Sequence, residues 1–257
     1  VKVGVVGIGK MGRPMADRLL AAGFDVSVCN RTHDARLHAL EEQGATVRAS
    51  PGDLASAVDV VLTALPTEDS VRDVYAEMTD VAVAGQCFID HSTVSPDLNR
   101  ACASALAGCG ASFLDAPVSG GPAGATAGTL TVMVGGDEPT LAHALPVLEA
   151  FGSKIRLCGP VGAGQAIKLV NQYLVAVHTV ASSAAAALGM ALRAGLATMH
   201  DILGTSFRCS AVPRHNLPPL EAPALSPRPT RAFRPTQSAA LQSRTAAPAL
   251  PLPPAGG

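Results

Sequence analysis

Val3-Gly4-Val5-Val6-Gly7-Ile8-Gly9-Lys10-Met11-Gly12-Arg13 opens the chain and decides how the rest of it reads. An apolar, β-branched run ends at Gly7, and Gly9 and Gly12 complete the spacing G-x-G-x-x-G. A helical pattern follows through Met15, Leu19 and Leu20. Gly7 permits the tight turn out of the strand, Gly9 lets a pyrophosphate approach the backbone, and Gly12 lets the helix pack close to the strand. The anion then sits at a helix N-terminus, where unpaired N–H groups and the positive end of the dipole face it. Three glycines alone are a weak signal, because any tight strand-to-helix turn can use them. Here a second strand pattern at 25–30 follows the helix, and that context selects a dinucleotide site at Gly7, Ile8, Gly9, Lys10, Met11 and Gly12.

Working outward, strand and helix patterns alternate through the first two-thirds of the chain. Residues 2–6, 25–30, 46–48, 58–64, 86–90, 112–115, 130–134 and 155–157 read as strands. Helical patterns lie between them around 15–22, 35–43, 71–77, 98–107 and 141–150. Such alternation calls for an α/β fold, a Rossmann-like doubly wound and mostly parallel sheet, over residues 1–161. Residues 162–205 open on a long helical pattern, and 206–257 read as a Pro-rich tail.

The end of the second strand selects the cofactor. NAD-binding sheets place an acidic residue there to hold the ribose 2′-hydroxyl, whereas this chain has Asn30-Arg31-Thr32. The guanidinium fork of Arg31 suits a 2′-phosphate, and Asn30 and Thr32 can add neutral hydrogen bonds, so NADP is expected, with NAD as the alternative. Ligands of open α/β sheets bind outside the carboxyl ends of the strands, which turns Leu65-Pro66 and Ser92-Thr93 toward the cofactor. Thr93 is placed against the nicotinamide half. Ser119-Gly120-Gly121, after the sixth strand, offers a hydroxyl and open backbone N–H groups, a cradle for a carboxylate. Lys168 lies in an apolar helical stretch, one turn from Asn171 and Gln172. Desolvation there lowers a Lys pKa and suits it to proton transfer, with Asn171 orienting a substrate hydroxyl.

Bulk composition narrows the alternatives. A chain of 257 residues that is 48% hydrophobic has ample material for a core, but with 3% aromatics and no Trp that core must be aliphatic. A net charge of −1 and a pI near 6.7 exert no pull toward nucleic acid or an anionic membrane. The six cysteines form no C-x-x-C and no His-paired spacing, so no metal site is expected and they read as small buried apolar groups. Residues 169–192 carry no formal charge, yet Ala and Ser dominate and Asn171, Gln172 and His178 interrupt them. We therefore read a helix buried between domains or subunits, not a membrane span. The chain starts on a strand at Val1 with no Met or charged, apolar leader. It is expected in the cytoplasm, or in mitochondria or plastids if a targeting segment precedes it.

Taken together, Gly7–Gly12, Asn30-Arg31-Thr32, the stretch from Asp115 to Gly121 and the stretch from Gly162 to Gln172 resemble the β-hydroxyacid dehydrogenase family, from Val1 to about Leu203. The resemblance implies that Lys168 is the general acid/base, that Ser119, Gly120 and Gly121 hold the substrate carboxylate, that Asn171 assists the hydroxyl and that Thr93 contacts the cofactor. It implies hydride exchange with a small β-hydroxy acid or its semialdehyde, of the 3-hydroxyisobutyrate, glyoxylate, tartronate semialdehyde, succinic semialdehyde or threonate type. Asn-Arg-Thr is similar to the NADPH-using members, and Gln172 departs from the Asn commoner there. The family also implies a homodimer and, after the long helix, an all-helical second domain that supplies a second Lys; residues 162–205 would be its remnant, and this chain has no Lys after Lys168. From Ser206 onward more than half of the prolines occur and the periodic apolar pattern ends. That tail is expected to be disordered, and without the helical domain the homodimer is not expected here. A second reading follows, a cofactor-binding remnant with little turnover.

Overall fold

The computed structural model describes residues 1–32 and 34–205. The expected disorder of the tail lies outside the described residues. Contacts divide the chain into two units, the first containing Val1–Lys168 and the second beginning at Leu169.

The first unit is built on a nine-stranded sheet. Its strands are β1 (Lys2–Val6), β2 (Asp25–Cys29), β3 (Thr46–Val47), β4 (Val60–Thr63), β5 (Cys87–Asp90) and β6 (Ser112–Asp115), then β7 (Val118–Ser119), β8 (Leu130–Gly135) and β9 (Gly152–Gly159). Helices α1 (Gly12–Ala21), α2 (Ala35–Glu41), α3 (Pro51–Ala55), α4 (Glu68–Thr79), α5 (Pro96–Gly108), α6 (Gly121–Ala127) and α7 (Glu138–Glu149) connect them. Helix α8 (Ala163–Ala191) starts in the first unit and continues into the second, where α9 (Leu196–Thr205) follows.

The spatial order is β3-β2-β1-β4-β5-β6-β8-β7, with β9 beside β8. Every pair from β3 to β6 is parallel, and β8 runs antiparallel to β6 and β7. The order reverses between β1 and β4, and a ligand of such a sheet binds outside the carboxyl ends of those two strands. That is where Gly7 and Ala64-Leu65 lie.

Successive residues of β1 feed two cores. Val3 and Val5 join Ile8, Met15 and Leu19 on one face, whereas Val6 joins Leu54, Val61 and Phe88 on the other. A strand covered on both faces reads as a continuous apolar run, and for that reason periodicity alone located it. Short elements escaped such a reading. Residues 51–55 form α3, capped by the Ser50 hydroxyl, which accepts from the Asp53 N–H at 3.2 Å. The Gly-rich stretch after Ala116 is not one open loop, because β7 pairs with β8 and α6 begins at Gly121. Pro122 presets the first turn of α6, which a glycine count reads as flexibility.

In the second unit, the large side chains of α8, among them Val170, Leu174, Val180 and Leu188, are exposed in this chain. The burial expected of this helix is therefore not found within the described residues. Length and composition alone would let α8 cross a membrane, with a mean hydropathy of 1.6 in its most apolar window.

Candidate active site

The glycine turn comes first, because each of its glycines meets different surroundings. Gly7 has φ +94°, a conformation that suits glycine, and a Cβ there would lie 2.6 Å from the Ala64 carbonyl oxygen. At Gly12 an added Cβ would run into the Gly7 carbonyl oxygen. Both glycines are therefore demanded by the protein itself. Gly9 is different: its φ lies outside the left-handed region, and a Cβ there would meet no atom within 4 Å. Nothing in the fold requires glycine at that position, so the space in front of it suits a group from outside the chain.

Helix α1 begins beside that space with Met11 as its cap residue, no capping side chain and no acidic residue in its first turn. In that turn the Arg13 N–H donates to the Gly9 carbonyl at 3.1 Å and residue 14 is proline, so Gly12 is the first-turn residue whose N–H can meet an anion. Lys10 is exposed and Met11 half-buried at the same turn, and Ile8 is fully buried. These surroundings fit a pyrophosphate.

Asn30 links this turn to the end of β2. Its Oδ1 accepts from the Ile8 N–H at 3.1 Å, and its Nδ2 donates to the Thr32 carbonyl at 3.0 Å. Both ends of the amide are engaged within the protein. Asn30 therefore ties the glycine turn to the Arg31-Thr32 bend, whereas sequence reasoning had its side chain facing a ligand. Arg31 and Thr32 are exposed. The nearby carboxylate of Asp34 caps α2 through the Arg36 N–H at 3.0 Å and pairs with the Arg36 guanidinium at 2.5 Å. That pairing offsets the charge that would otherwise oppose a phosphate beside Arg31.

The ends of β4, β5 and β6 are joined by buried polar groups, of which sequence reasoning had assigned only Ser92, and that toward the cofactor. Asp90, fully buried at the end of β5, accepts from the Thr63 hydroxyl at 2.8 Å, from the Ser92 N–H at 3.0 Å and from the Asn99 Nδ2 at 2.8 Å. The Ser92 hydroxyl in turn accepts from the Leu65 N–H at 3.0 Å. Leu65 and Thr93 are half-buried and Pro66 is exposed, so one network anchors the loops that follow β4 and β5. The next residue of that loop, Thr67, caps α4 in a reciprocal pair with Ser70. His91 bonds the Ala116 carbonyl through Nδ1 at 2.6 Å, and burial lowers its pKa. It is therefore neutral, with the proton on Nδ1.

Asp115 at the end of β6 performs the same task for α8. Its carboxylate accepts from the Gly162 N–H at 2.6 Å and from the Gln165 N–H at 2.8 Å. The Gln165 Nε2 donates to the Ser92 carbonyl at 2.6 Å. Three residues past Gln165 comes Lys168, which is 8% exposed, and burial lowers its pKa from 10.5 to about 8. Ser119 is half-buried at the end of β7, while Gly120 and Gly121 are exposed and carry φ of +125° and +63°. Asn171 is half-buried and belongs to the second unit. The first unit thus contains Lys168, Ser119-Gly120-Gly121, the glycine turn and the strand ends together. No cluster of three or more metal-ligating side chains occurs among the described residues.

Comparison with known proteins gives the family. Residues 2–159 match the model of the NAD-binding domain of 6-phosphogluconate dehydrogenase. A probable 3-hydroxyisobutyrate dehydrogenase of Mycobacterium tuberculosis is 38% identical over 243 residues, which span 94% of this chain and 82% of that protein. The chain belongs to the β-hydroxyacid dehydrogenase family. This dehydrogenase is also 43% identical to the mitochondrial 3-hydroxyisobutyrate dehydrogenase of Drosophila melanogaster, over 76% of this chain and 59% of that one. Among solved structures, the Mycobacterium tuberculosis 3-hydroxyisobutyrate dehydrogenase with L-serine gives a TM-score of 0.75 at 36% identity, covering 82% of this chain and 72% of that chain. Psf3 in complex with NADP+ and 2-OPP gives 0.78 at 27% identity, covering 82% and 76%. The dehydrogenase is accordingly a nicotinamide-dependent oxidoreductase with a Rossmann-like fold.

Proposed function

We propose that this dehydrogenase exchanges hydride between NADP(H) and a small β-hydroxy acid or its semialdehyde, with Lys168 moving the hydroxyl proton. The observation that carries the proposal is the buried amine of Lys168, with a pKa lowered to about 8, on the helix that Asp115 fastens to the strand ends. Gly7, Gly9 and Gly12 would hold the pyrophosphate at the start of α1, and Arg31 and Thr32 the 2′-phosphate. Leu65, Pro66 and Thr93 would line the nicotinamide half. When bound, the nicotinamide ring supplies a site that accepts or donates hydride at a carbon.

The rest is the work of this chain's residues. Ser119 and the backbone of Gly120 and Gly121 would fix the substrate carboxylate, and Asn171 would orient its hydroxyl. As an alcohol is oxidised, the neutral Lys168 amine takes the hydroxyl proton; in the reverse direction the ammonium returns it to the carbonyl oxygen. A pKa near the working pH makes both states accessible. Candidate substrates share a carboxylate, joined to a hydroxyl in 3-hydroxyisobutyrate and threonate and to an aldehyde carbonyl in glyoxylate, tartronate semialdehyde and succinic semialdehyde, and this arrangement would grip both groups. Turnover of a panel of these acids and semialdehydes with NADPH and NADH tests the reading. It expects NADPH to be preferred and Lys168→Ala to abolish turnover. Equal turnover by the parent chain and Lys168→Ala would remove Lys168 from the reaction.

A further inference from the structure

Asp115 is the acidic residue that the reaction does not use, and its surroundings are unusual. Its side chain is fully buried at the carboxyl end of β6. Glycine stands where any side chain would collide with it: a Cβ at Gly135 would run into its carboxylate, and one at Gly164 would lie 2.9 Å from Oδ2. Both carboxylate oxygens are committed, Oδ1 to the Gly162 N–H at 2.6 Å and Oδ2 to the Gln165 N–H at 2.8 Å. These donors belong to the entry and first turn of α8, where backbone N–H groups lack partners within the helix. The Gln165 side chain makes a second attachment, donating to the Ser92 carbonyl at 2.6 Å. The next turn of the helix carries Lys168.

We propose that Asp115 is a positioning residue for Lys168, holding the first turn of α8 against the sheet so that the amine is kept in its buried setting. The proposal rests on the proton-transfer role assigned to Lys168 above, but its physical content does not depend on turnover. No charged neighbour contributes to the lowered pKa of Lys168; burial is its cause. Asp115 therefore acts on the amine through the helix and not through its charge. An isosteric Asp115→Asn keeps one acceptor and points an NH2 group at a backbone N–H, so at least one of the two attachments is lost. The two mechanisms then predict opposite signs. Removing a negative charge by itself would lower the pKa of a lysine, whereas releasing the helix re-exposes the amine and raises it.

The test uses the full 257-residue chain, which contains only four lysines, at 2, 10, 154 and 168. Lysine labelled at its ε-carbon gives four resonances by NMR, and the Lys168 signal is assigned as the one absent from Lys168→Arg. In the parent chain it is expected to titrate near 8, and in Asp115→Asn at least one unit higher. A Lys168 titration that stays put, or moves down, in folded Asp115→Asn overturns the proposal. If circular dichroism shows that Asp115→Asn does not fold, Gly164→Ala carries the same criterion. Its Cβ would press on Met133 and Asp115 and lift the start of α8 without removing a charge. Turnover by Lys168→Ala bears on the proton-transfer role alone, so failure of that role and failure of this proposal are told apart.

Discussion

Gly9→Ala and Gly12→Ala, made separately, should fail in opposite ways. At Gly12 the new methyl group would occupy the space of the Gly7 carbonyl oxygen, and two backbone segments must move to admit it. Overpacking of that kind costs about 1–3 kcal/mol, and for a domain of this size that lowers the urea midpoint by about 1 M. At Gly9 the methyl group meets nothing within 4 Å, and the backbone conformation there tolerates any residue. Stability should then stay within about 0.5 kcal/mol of the parent. The methyl group would instead stand in the space assigned to the pyrophosphate. A tenfold loss of affinity corresponds to about 1.4 kcal/mol, a modest effect for displacing an anion from a helix terminus. NADPH affinity, read from the fluorescence of the reduced nicotinamide, should therefore fall at least tenfold in Gly9→Ala while its urea midpoint stays at the parent value. Undiminished NADPH binding by Gly9→Ala would refute the placement of the pyrophosphate. Equal destabilisation of both variants would refute the argument from local space.

Arg31→Ala should weaken NADPH binding at least tenfold and leave NADH within about twofold, a loss of about 1.4 kcal/mol or more; parallel losses for both nucleotides would contradict the role of Arg31. Lys168 titrates lower in the folded chain than unfolded, so its stability deficit is present below pH 8 and is recovered as pH rises through about 8 to 10.5. Lys168→Met should accordingly raise stability near neutral pH, by on the order of 2–3 kcal/mol, and the gain should shrink by pH 10; a pH-independent difference would count against a buried amine. Burial raises the Asp115 carboxyl from 3.8 to about 6, partly countered by its two backbone hydrogen bonds. The stability it contributes is greatest below 3.8 and is lost as pH rises through about 6, so the parent should lose ground to Asp115→Asn across that window in urea titrations.

The features legible in the sequence were those with a period or a spacing. The β-branched run ending at Gly7 and the alternation of apolar strands and amphipathic helices were enough for the parallel sheet, because both faces of its strands are buried. The glycine turn, Arg31 and the apolar setting of Lys168 were likewise visible from neighbouring residues. Contacts across long separations were not. Asp115 and Gly162 are 47 residues apart in the chain, and nothing local to DAPVSGG says that its Asp will fasten the entry to a distant helix. The Asp90, Ser92 and Gln165 links are hidden for the same reason. A faint signal did exist: Asp90 and Asp115 each close an apolar strand, where a carboxylate is expensive unless donors surround it. Asn30 illustrates a different limit, since its amide could equally face a ligand or the protein, and only the coordinates show both ends engaged.

The central claim is that a buried Lys168 carries the proton while hydride is exchanged with a small hydroxy acid or semialdehyde. The most direct measurement is a single-turnover reaction of bound NADPH with a semialdehyde panel, followed by the absorbance of the reduced nicotinamide, in the parent chain and in Lys168→Ala. The account predicts consumption of NADPH by the parent, slowing as pH rises past about 8, and none by the variant. Consumption at the same rate by both chains would contradict it.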